Sequence, residues 1–279
     1  MSEPVIRPWE PGDVPQLKAL WRIAFGDSEE YIDSFFSHFL RKDACLVAEA
    51  DGQAVSAMYI LPGESVFPHR KNVLSAGYVY ALATLPEYRS RGIGSAVYRA
   101  ASGTALLSAD AACVLPAEKG LYPFYETSGA RPFSFLREAR ISRDELAGTE
   151  PRMAARFPAL RYAGMRERIL SGLPHAVFPD SLFEFMEENG TEFFILEQGL
   201  AAAETEGGVC RILELLDTGD DAAGAIAGVA RWCRAEEYIV RTPLFFDGPG
   251  EPRPFMLAAL KREPDYPLPD DLWWGFGLD

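Results

Sequence analysis

The spacing of hydrophobic residues along the chain predicts helices and strands in alternation. Between residues 13 and 39, apolar residues recur at helical spacing, which predicts two amphipathic helices. The period then changes to two in ACLVAEADGQAVSAMYI, and its central Asp51-Gly52 pair is typical of a hairpin turn. The remaining predicted elements of this half are a strand at Asn72–Thr84, a helix at Gly94–Ala109, the strand AACVLPAE, the short helix LYPFYETSGA and the strand PFSFLREARI. The pattern is that of a mixed α/β domain.

The second half of the sequence repeats this order. EFFILEQG, LAAAETEGG and VCRILELLD are predicted strands, residues 220–234 form an amphipathic helix, and the strand EYIVRTP follows. The repeated order indicates a diverged copy of the first domain, although few residues are shared between the halves. Residues 147–173 are rich in Arg, Pro and Gly, so we place the boundary at their start. The predicted domains are 1–146 and 147–279.

Composition narrows the classes of function. With 27 Lys and Arg against 41 Asp and Glu, the net charge of −14 disfavours a nucleic-acid partner. The excess is concentrated in residues 151–279, which hold 12 basic and 22 acidic residues. Such a field can attract a cationic acceptor, although a solubilising surface is the more common explanation. The four cysteines are widely spaced and there are three histidines, which predicts reduced core thiols and no metal site.

The sequence also predicts the cellular compartment. Its first residues lack the basic patch and apolar block of a secretory signal. The longest near-continuous apolar stretch, Val73–Leu85, falls short of the ~20 residues that a membrane-spanning helix needs. We therefore expect a cytoplasmic protein without a membrane partner, and assembly as a homo-oligomer is compatible with the sequence.

Residues 82–96, LATLPEYRSRGIGSA, carry the strongest chemical signal. A predicted strand passes through the loop Arg89-x-x-Gly92-x-Gly94 into a predicted helix. Glycines let consecutive backbone N–H groups approach the oxygens of a diphosphate, and the helix dipole adds positive potential. Arg89 and Arg91 can add charge-assisted hydrogen bonds. The segment is therefore a candidate phosphate-binding loop.

Two other glycine-rich loops are excluded. Val97 stands where a dinucleotide-binding loop needs a small residue, and no Lys-Ser/Thr pair follows the glycines as in a Walker loop. The arginine-led version, LATLPEYRSRGIG, resembles the acetyl-CoA loop of the GNAT acetyltransferase superfamily, Arg/Gln-x-x-Gly-x-Gly/Ala after a strand often written L-A-V-x-P-x-Y. By element order, the resemblance covers residues 1–145. It implies the GNAT fold, a mixed twisted sheet flanked by helices, followed here by a smaller GNAT-like second domain.

The resemblance also implies where acetyl-CoA binds. Main-chain groups of Leu82 and Thr84 would pair with the pantetheine arm, the loop would hold the pyrophosphate, and a main-chain N–H near the same strand would stabilise an oxyanion. Thr84 departs from the family's usual valine but keeps its β-branching. The implied cofactor-binding residues are Leu82, Ala83, Thr84, Arg89, Ser90, Arg91, Gly92, Ile93, Gly94 and Ser95.

A second stretch, FYETSGA at residues 124–130, is similar to the family pattern F-Y-x-x-x-G-F except at Ala130. The resemblance implies that Tyr125 is the catalytic acid, because a phenol beside the departing sulfur can protonate a thiolate. Two alternatives remain open. Tyr125 could be a packing residue, and Tyr122 on the same helical face could be the proton donor.

The base that accepts the amine proton cannot be assigned from the sequence. Four carboxylates fall at suitable predicted positions, and each fits a solvated surface role better: Glu49, Glu64, Glu87 and Glu118. His38 and His69, the histidines of the first domain, fit structural roles better than catalytic ones, and His175 lies outside the half that carries the motif. In tandem relatives the terminal carboxylate can reach the first domain, so the resemblance adds Asp279 as a candidate base, with plain packing as the alternative.

These observations lead to one functional hypothesis and one alternative. The hypothesis is an acetyl-CoA-dependent N-acetyltransferase that acts on a primary amine, in a small cationic molecule, a lysine or a protein N-terminus, by direct attack in a ternary complex. The alternative is a non-catalytic acyl-CoA-binding sensor or scaffold. The second half has carboxylates in the corresponding loop, DTGDD at residues 217–221, so we expect one cofactor site per chain. We also expect the apolar segment WWGF, residues 273–276, to pack against a surface.

Overall fold

The computed structural model describes residues 3–67, 72–103, 109–261 and 268–278. No helix in these ranges is long and apolar enough to cross a bilayer. The elements of the first part of the chain are β1 Val5–Pro8, α1 Val14–Phe25, α2 Glu29–Phe39, β2 Cys45–Ala50, β3 Gln53–Phe67, β4 Asn72–Thr84, α3 Ile93–Gly103, β5 Ala111–Val114, α4 Tyr122–Glu126, β6 Arg131–Pro132 and β7 Phe135–Ser142. Those of the second part are β8 Ala154–Arg156, α5 Ala159–Ile169, β9 His175–Val177, α6 Asp180–Glu188, β10 Glu192–Leu196, β11 Gly199–Glu206, β12 Val209–Asp217, α7 Ala222–Ala230, β13 Glu237–Thr242, β14 Glu251–Pro254 and β15 Leu257–Leu260.

Most predicted elements are present in the structure. The predicted hairpin joins β2 to β3, and its two turn residues have positive φ, 53° at Asp51 and 76° at Gly52. The predicted helix at Gly94–Ala109 corresponds to α3, which covers Ile93–Gly103, and residues 104–108 lie outside the described ranges. The alternating pattern therefore located the elements.

Contacts between Cα atoms divide the chain into two compact units. The first unit is Met1–Glu64, Leu74–Arg131 and Leu257–Asp265, and the second is Ser65–Val73, Pro132–Met256 and Tyr266–Asp279. These units differ from the predicted domains 1–146 and 147–279. The physical reason is strand pairing: β7 pairs with β13 and β14 in the second unit, whereas β15 pairs with β5 in the first.

The first unit is built on a sheet with the strand order β1-β2-β3-β4-β5-β15. Its β4–β5 pair is parallel, while β1–β2, β2–β3 and β5–β15 are antiparallel. Helices α1 and α2 contribute a buried aromatic cluster. The Trp21 ring lies 4.7 Å from Phe35 and 5.0 Å from Tyr59 on β3, measured between ring centroids. These contacts hold the two helices against the sheet.

The second unit has the strand order β14-β7-β13-β12-β11-β10-β8. It too contains a parallel pair, β12–β13, in an otherwise antiparallel sheet. The run β10, β11, β12, α7, β13 therefore follows the same order as β2, β3, β4, α3, β5. The shared order of strands in the two sheets corresponds to the repeat predicted from the sequence.

The predicted docking of the WWGF segment is confirmed. Trp273, Trp274 and Phe276 are buried within the second unit. The Trp273 indole donates a hydrogen bond of 2.6 Å to Glu214 Oε1, and Glu214 forms a completely buried ion pair with Arg166 at 3.0 Å. A buried charge pair tolerates little displacement, because either charge left alone would be costly. The segment is thus fixed in place by β12.

Candidate functional site

The site in the first unit begins where β4 and β5 separate. Their parallel pairing runs from Ala76↔Ala111 to Val79↔Val114 and stops there. Two residues later, Ala81 has a φ of 49°, a left-handed conformation that is rare for alanine. Two parallel strands that diverge in this way leave main-chain groups without a sheet partner, so a cleft opens beside the last residues of β4.

A cavity of about 480 Å³ occupies the first unit at this point. It brings together nine of the ten predicted cofactor-binding residues; only Arg91 is not part of its wall. The Arg91 guanidinium lies 5.3 Å from the centre of the Tyr88 ring instead. The wall consists of Ala24, Phe25, Leu82, Ala83, Thr84, Tyr88, Arg89, Ser90, Gly92, Ile93, Gly94, Ser95, Leu121, Phe124 and Tyr125.

The loop ahead of α3 presents backbone N–H groups to this cavity. Ser90 and Gly92 have positive φ, 60° and 75°, and the first helical hydrogen bond runs from Ala96 N to Gly92 O at 2.9 Å. The amides of residues 93–95 therefore precede the first intrahelical bond and have no acceptor within the helix. Such amides, at the positive end of an 11-residue helix, suit an anion.

A Cβ at Gly94 would make ordinary van der Waals contact with the cavity wall. A Cβ at this position would lie 3.4 Å from Thr84 Oγ1 and 4.0 Å from Phe124 Cζ. A Cβ at Gly92 would meet nothing within 4 Å, so the positive φ alone explains glycine there. The two glycines of the motif thus serve different purposes, one in conformation and one in close approach.

The end of β4 is fixed by two side chains. Arg89 Nε donates a hydrogen bond of 3.0 Å to the carbonyl of Thr84. The completely buried Ser56 on β3 donates at 2.6 Å to the carbonyl of Ala83, and its hydroxyl lies 2.9 Å from Thr84 Oγ1. Ser56 was missed in the sequence, where a polar residue within the apolar run AVSAMYI was the available signal. The Thr84 carbonyl is thus already hydrogen-bonded within the protein.

Tyr125 lies in α4 with its ring in the cavity wall. It is 7% exposed, and its ring packs edge-on against Phe124 and Tyr98 at centroid distances of 4.9 and 5.2 Å. Burial raises the pKa of Tyr125 to about 12, so the phenol is protonated at neutral pH. The alternative donor Tyr122 is not part of the wall.

The structure separates the other candidate residues from the cavity. Glu49 pairs with Arg7 at 2.8 Å, while Glu87 and Glu118 are exposed and do not line the wall. The His38 ring nitrogen Nδ1 lies 2.9 Å from the Ser34 carbonyl, and His175 is buried against Glu167 at 3.0 Å. Three candidates lie outside what the structure describes: the side chain of Glu64, and residues His69 and Asp279. Within the described residues, no group of His, Cys, Asp and Glu is arranged to hold a metal.

The corresponding loop of the second unit has a different character. Asp217 is buried and pairs with Arg152 at 2.8 Å. Asp221 caps α7, accepting a hydrogen bond of 2.9 Å from the Gly224 amide. A carboxylate at the helix N-terminus satisfies the amides that an external anion would need, and it also repels that anion. The loop before α7 therefore differs from the loop before α3 both in charge and in the availability of its amides.

Comparisons with known proteins agree with this geometry. Residues 5–133 match the family model described as an acetyltransferase (GNAT) domain. A GCN5-related N-acetyltransferase from Kribbella flavida superposes with a TM-score of 0.69 at 14% identity, covering 93% of this chain and 72% of that one. Eis1 from Mycobacterium abscessus superposes with a TM-score of 0.63 at 14% identity, covering 93% of this chain and 74% of that one. No curated protein sequence matches the chain. At these identities the solved structures show a shared fold over both units.

Proposed function

We propose that the chain is an acetyl-CoA-dependent N-acetyltransferase of the cytoplasm that acetylates a primary amine. The observation that carries the proposal is the cavity between the end of β4, the start of α3 and α4, where a glycine loop meets a buried, protonated phenol. The match of residues 5–133 to the GNAT acetyltransferase family model supports an acyltransferase. The detailed assignments that follow are inferred from the geometry of the first unit.

The residues present fit coenzyme A. The amides of residues 93–95 and the guanidinium of Arg89 offer donors for a diphosphate, and Gly94 allows close approach. Because Arg89 Nε is engaged by Thr84 O, its terminal nitrogens are the ones that remain for phosphate oxygens. Of the two residues that the resemblance implies for the pantetheine arm, Leu82 offers its main-chain groups at the separated end of β4, whereas the Thr84 carbonyl is already hydrogen-bonded to Arg89. When bound, acetyl-CoA would supply the activated acyl group as a thioester.

The chain's own residues would position the reactants and hold one proton. The Tyr125 phenol retains its proton at neutral pH and can release it to a departing thiolate at the cavity wall. A main-chain N–H near Leu82 would stabilise negative charge on the acyl oxygen. The acceptor amine would attack directly within a ternary complex, so positioning supplies much of the rate. No described carboxylate or histidine lines the cavity, so we assign no base.

We assign one active site to each chain. The N-terminal domain would be catalytic, and the C-terminal domain would be a GNAT-like copy without a cofactor loop. The carboxylates at the start of α7 support this assignment, because they occupy the place where α3 presents free amides. The acidic balance of residues 151–279 favours a cationic acceptor, such as a polyamine, an aminoglycoside or a lysine side chain.

Two measurements on the same preparation test the function. Calorimetric titration would measure CoA binding, and a thiol-reactive dye would measure CoA release from acetyl-CoA with polyamines, aminoglycosides and lysine peptides. An enzyme gives amine-dependent release above the hydrolysis blank. Tight CoA binding with no amine-dependent release across the panel would instead support the sensor alternative. Absence of CoA binding would refute both.

A further inference from the structure

A second cavity, of about 540 Å³, lies in the second unit where the end of α7 meets the turn after β7. Three arginines line it, Arg143, Arg231 and Arg234. The rest of the wall is mostly apolar, with Leu146 and Ala230 among its residues. Apolar walls with a few charged groups, at a volume of roughly 300–1,000 Å³, are typical of small-molecule sites.

Two of these arginines have no partner within the described chain. Arg231 is the C-cap residue of α7, and Arg234 follows it by three positions. Both are exposed, and neither side chain forms a hydrogen bond or an ion pair with a described residue. Arg143 has one carboxylate partner, Glu236, at 2.7 Å, in a pair whose side chains are 52% and 77% exposed. Such an exposed pair contributes little and can be rearranged by a ligand.

The unpaired state of Arg231 and Arg234 contrasts with their surroundings. Residues 151–279 contain 22 acidic and 12 basic residues, and other arginines of this unit have found carboxylates, including Arg152 with Asp217 and Arg156 with Glu192. The cavity wall itself contains three arginines and one carboxylate, Asp144, and with Glu236, the partner of Arg143, two carboxylates stand against three guanidinium groups. The wall is therefore locally positive within an acidic half of the chain.

The end of α7 accounts for part of this arrangement. A cation near a helix C-terminus is favoured by the helix dipole, typically by about 0.3–1 kcal/mol. That effect falls off within the last turn of the helix. It does not explain why the cavity wall is mostly apolar, or why the turn after β7 supplies a third arginine, Arg143. A bound anion with an apolar body would use all three features.

We propose that this cavity binds a small organic anion, a carboxylate or a phosphate ester carried on a hydrocarbon body. Arg231 and Arg234 would hold the anionic group, because guanidinium forms paired, charge-assisted hydrogen bonds with both carboxylates and phosphates. The hydrocarbon would cover Leu146 and Ala230. The site is separate from acetyl transfer and does not rest on the function proposed above.

The test uses the full chain with ¹⁵N-labelled arginine and follows the Nε–Hε signals of Arg231 and Arg234. The probes are hexanoate and hexyl phosphate, each compared with its short counterpart, acetate or inorganic phosphate. We expect saturable shifts of these two signals. Hexanoate and hexyl phosphate, together called the hexyl probes for their six-carbon chains, should bind at least tenfold more tightly than acetate and inorganic phosphate. The tighter of the two hexyl probes identifies the anionic group as carboxylate or phosphate ester.

A matched pair of double variants supplies the control. Arg231→Gln with Arg234→Gln should abolish saturable binding of the hexyl probes, read from the remaining Arg143 signal. Arg161→Gln with Arg168→Gln removes the same charge from exposed positions on α5 and should leave binding unchanged. Circular dichroism checks that both double variants are folded. If a double variant does not fold, its two single variants are measured instead, and the single variants at Arg231 and Arg234 should each weaken binding.

Three results would overturn the proposal: no saturable shift, hexyl probes that bind no more tightly than acetate or phosphate, or equal loss of binding in the α5 control. The last two would indicate nonspecific surface attraction. None of these results depends on whether the chain binds CoA, so this proposal and the proposed function can fail separately.

Discussion

Replacing Gly92 by glutamate should weaken CoA binding in two separable ways. Gly92 has a φ of 75°, and a Cβ there would meet no atom within 4 Å. Any side chain therefore adds backbone strain without a clash. The left-handed conformation costs an L-residue about 1–2 kcal/mol. Glutamate adds a negative charge at the mouth of a site that we propose binds a diphosphate.

The charge contribution can be estimated from the exposure of the loop. Residues Arg89 to Gly92 are exposed, so a dielectric constant near that of water applies. At about 6 Å, one pair of unit charges then interacts by roughly 0.7 kcal/mol, and two phosphate charges give about 1.4 kcal/mol, or tenfold in Kd. Gly92→Gln has nearly the same shape and lacks this charge. We expect Gly92→Glu to bind CoA about tenfold more weakly than Gly92→Gln.

Calorimetric titration of CoA at low and high salt measures this difference. Screening should shrink the gap between the two variants as salt rises. Gly172→Glu is the matched control, because Gly172 also has a φ of 87° with nothing within 4 Å, but it lies in the second unit. It should show a similar loss of thermal stability and unchanged CoA affinity. If Gly92→Glu binds CoA as tightly as the unmodified protein, the loop is not the diphosphate site.

Four further predictions concern three side chains, Tyr125, Ser56 and Glu214. Tyr125→Phe should lower kcat by about a hundredfold with little change in CoA affinity, whereas Tyr122→Phe should leave both unchanged; steady-state kinetics and CoA titration decide. Since the pKa of Tyr125 is raised to about 12, its proton is lost only above that pH, and a pH–rate profile should show no basic limb from this group up to pH ~10. Ser56→Ala removes the hydrogen bonds at the end of β4 and should cost about 1 kcal/mol of unfolding free energy and raise the KM for acetyl-CoA, measured by denaturant unfolding and by kinetics. Glu214→Leu removes the completely buried carboxylate partner of Arg166 and leaves only the part-exposed Glu167, at 3.2 Å, as its ion-pair partner; the change should cost about 3–5 kcal/mol, measured by denaturant unfolding.

A basic limb below pH ~10 that Tyr125→Phe removes would contradict the pH prediction, and each substitution also has an outcome that contradicts it. Equal turnover of Tyr125→Phe and the unmodified protein would remove Tyr125 as the acid. A Ser56→Ala variant with unchanged KM would make Ser56 a packing residue only. For Glu214, the control is Glu206→Leu, an exposed carboxylate at the end of β11. Equal losses of stability in the two leucine variants would show that pairing with Arg166 is not the cause.

The sequence predicted the local elements well because local patterns determine them. The hairpin at Asp51-Gly52 follows from two residues that tolerate positive φ. The wall of the first cavity contains nine of the ten residues that the family resemblance implies for cofactor binding, and that binding role stays a prediction. The hairpin and this set of residues each lie within a short stretch of the chain, where spacing in sequence is close to spacing in the fold.

Features that depend on distant residues were not readable. Nothing in an alanine signals the left-handed conformation of Ala81, which follows from how β4 must bend away from β5. Arg91 was expected in the site, yet its guanidinium lies over the Tyr88 ring. A long arginine side chain has many rotamers and can contact several different neighbours, so its position in the sequence does not determine which one it contacts. The neighbours of β7 (β13 and β14) and of β15 (β5) were also missed. An alternating pattern identifies the buried face of a strand but does not determine which strand lies beside it.

The pairing of β5 with β15 has a consequence for biosynthesis. A ribosome makes Val114 long before it makes Leu257, so a nascent chain carries the first sheet with one edge of β5 bare while the second unit is being translated. At typical elongation rates of about 5–20 residues per second, that interval lasts roughly 10–30 seconds. An open edge invites pairing with other strands, including the β15 of a neighbouring copy, so swapped dimers are the expected by-product of crowded expression.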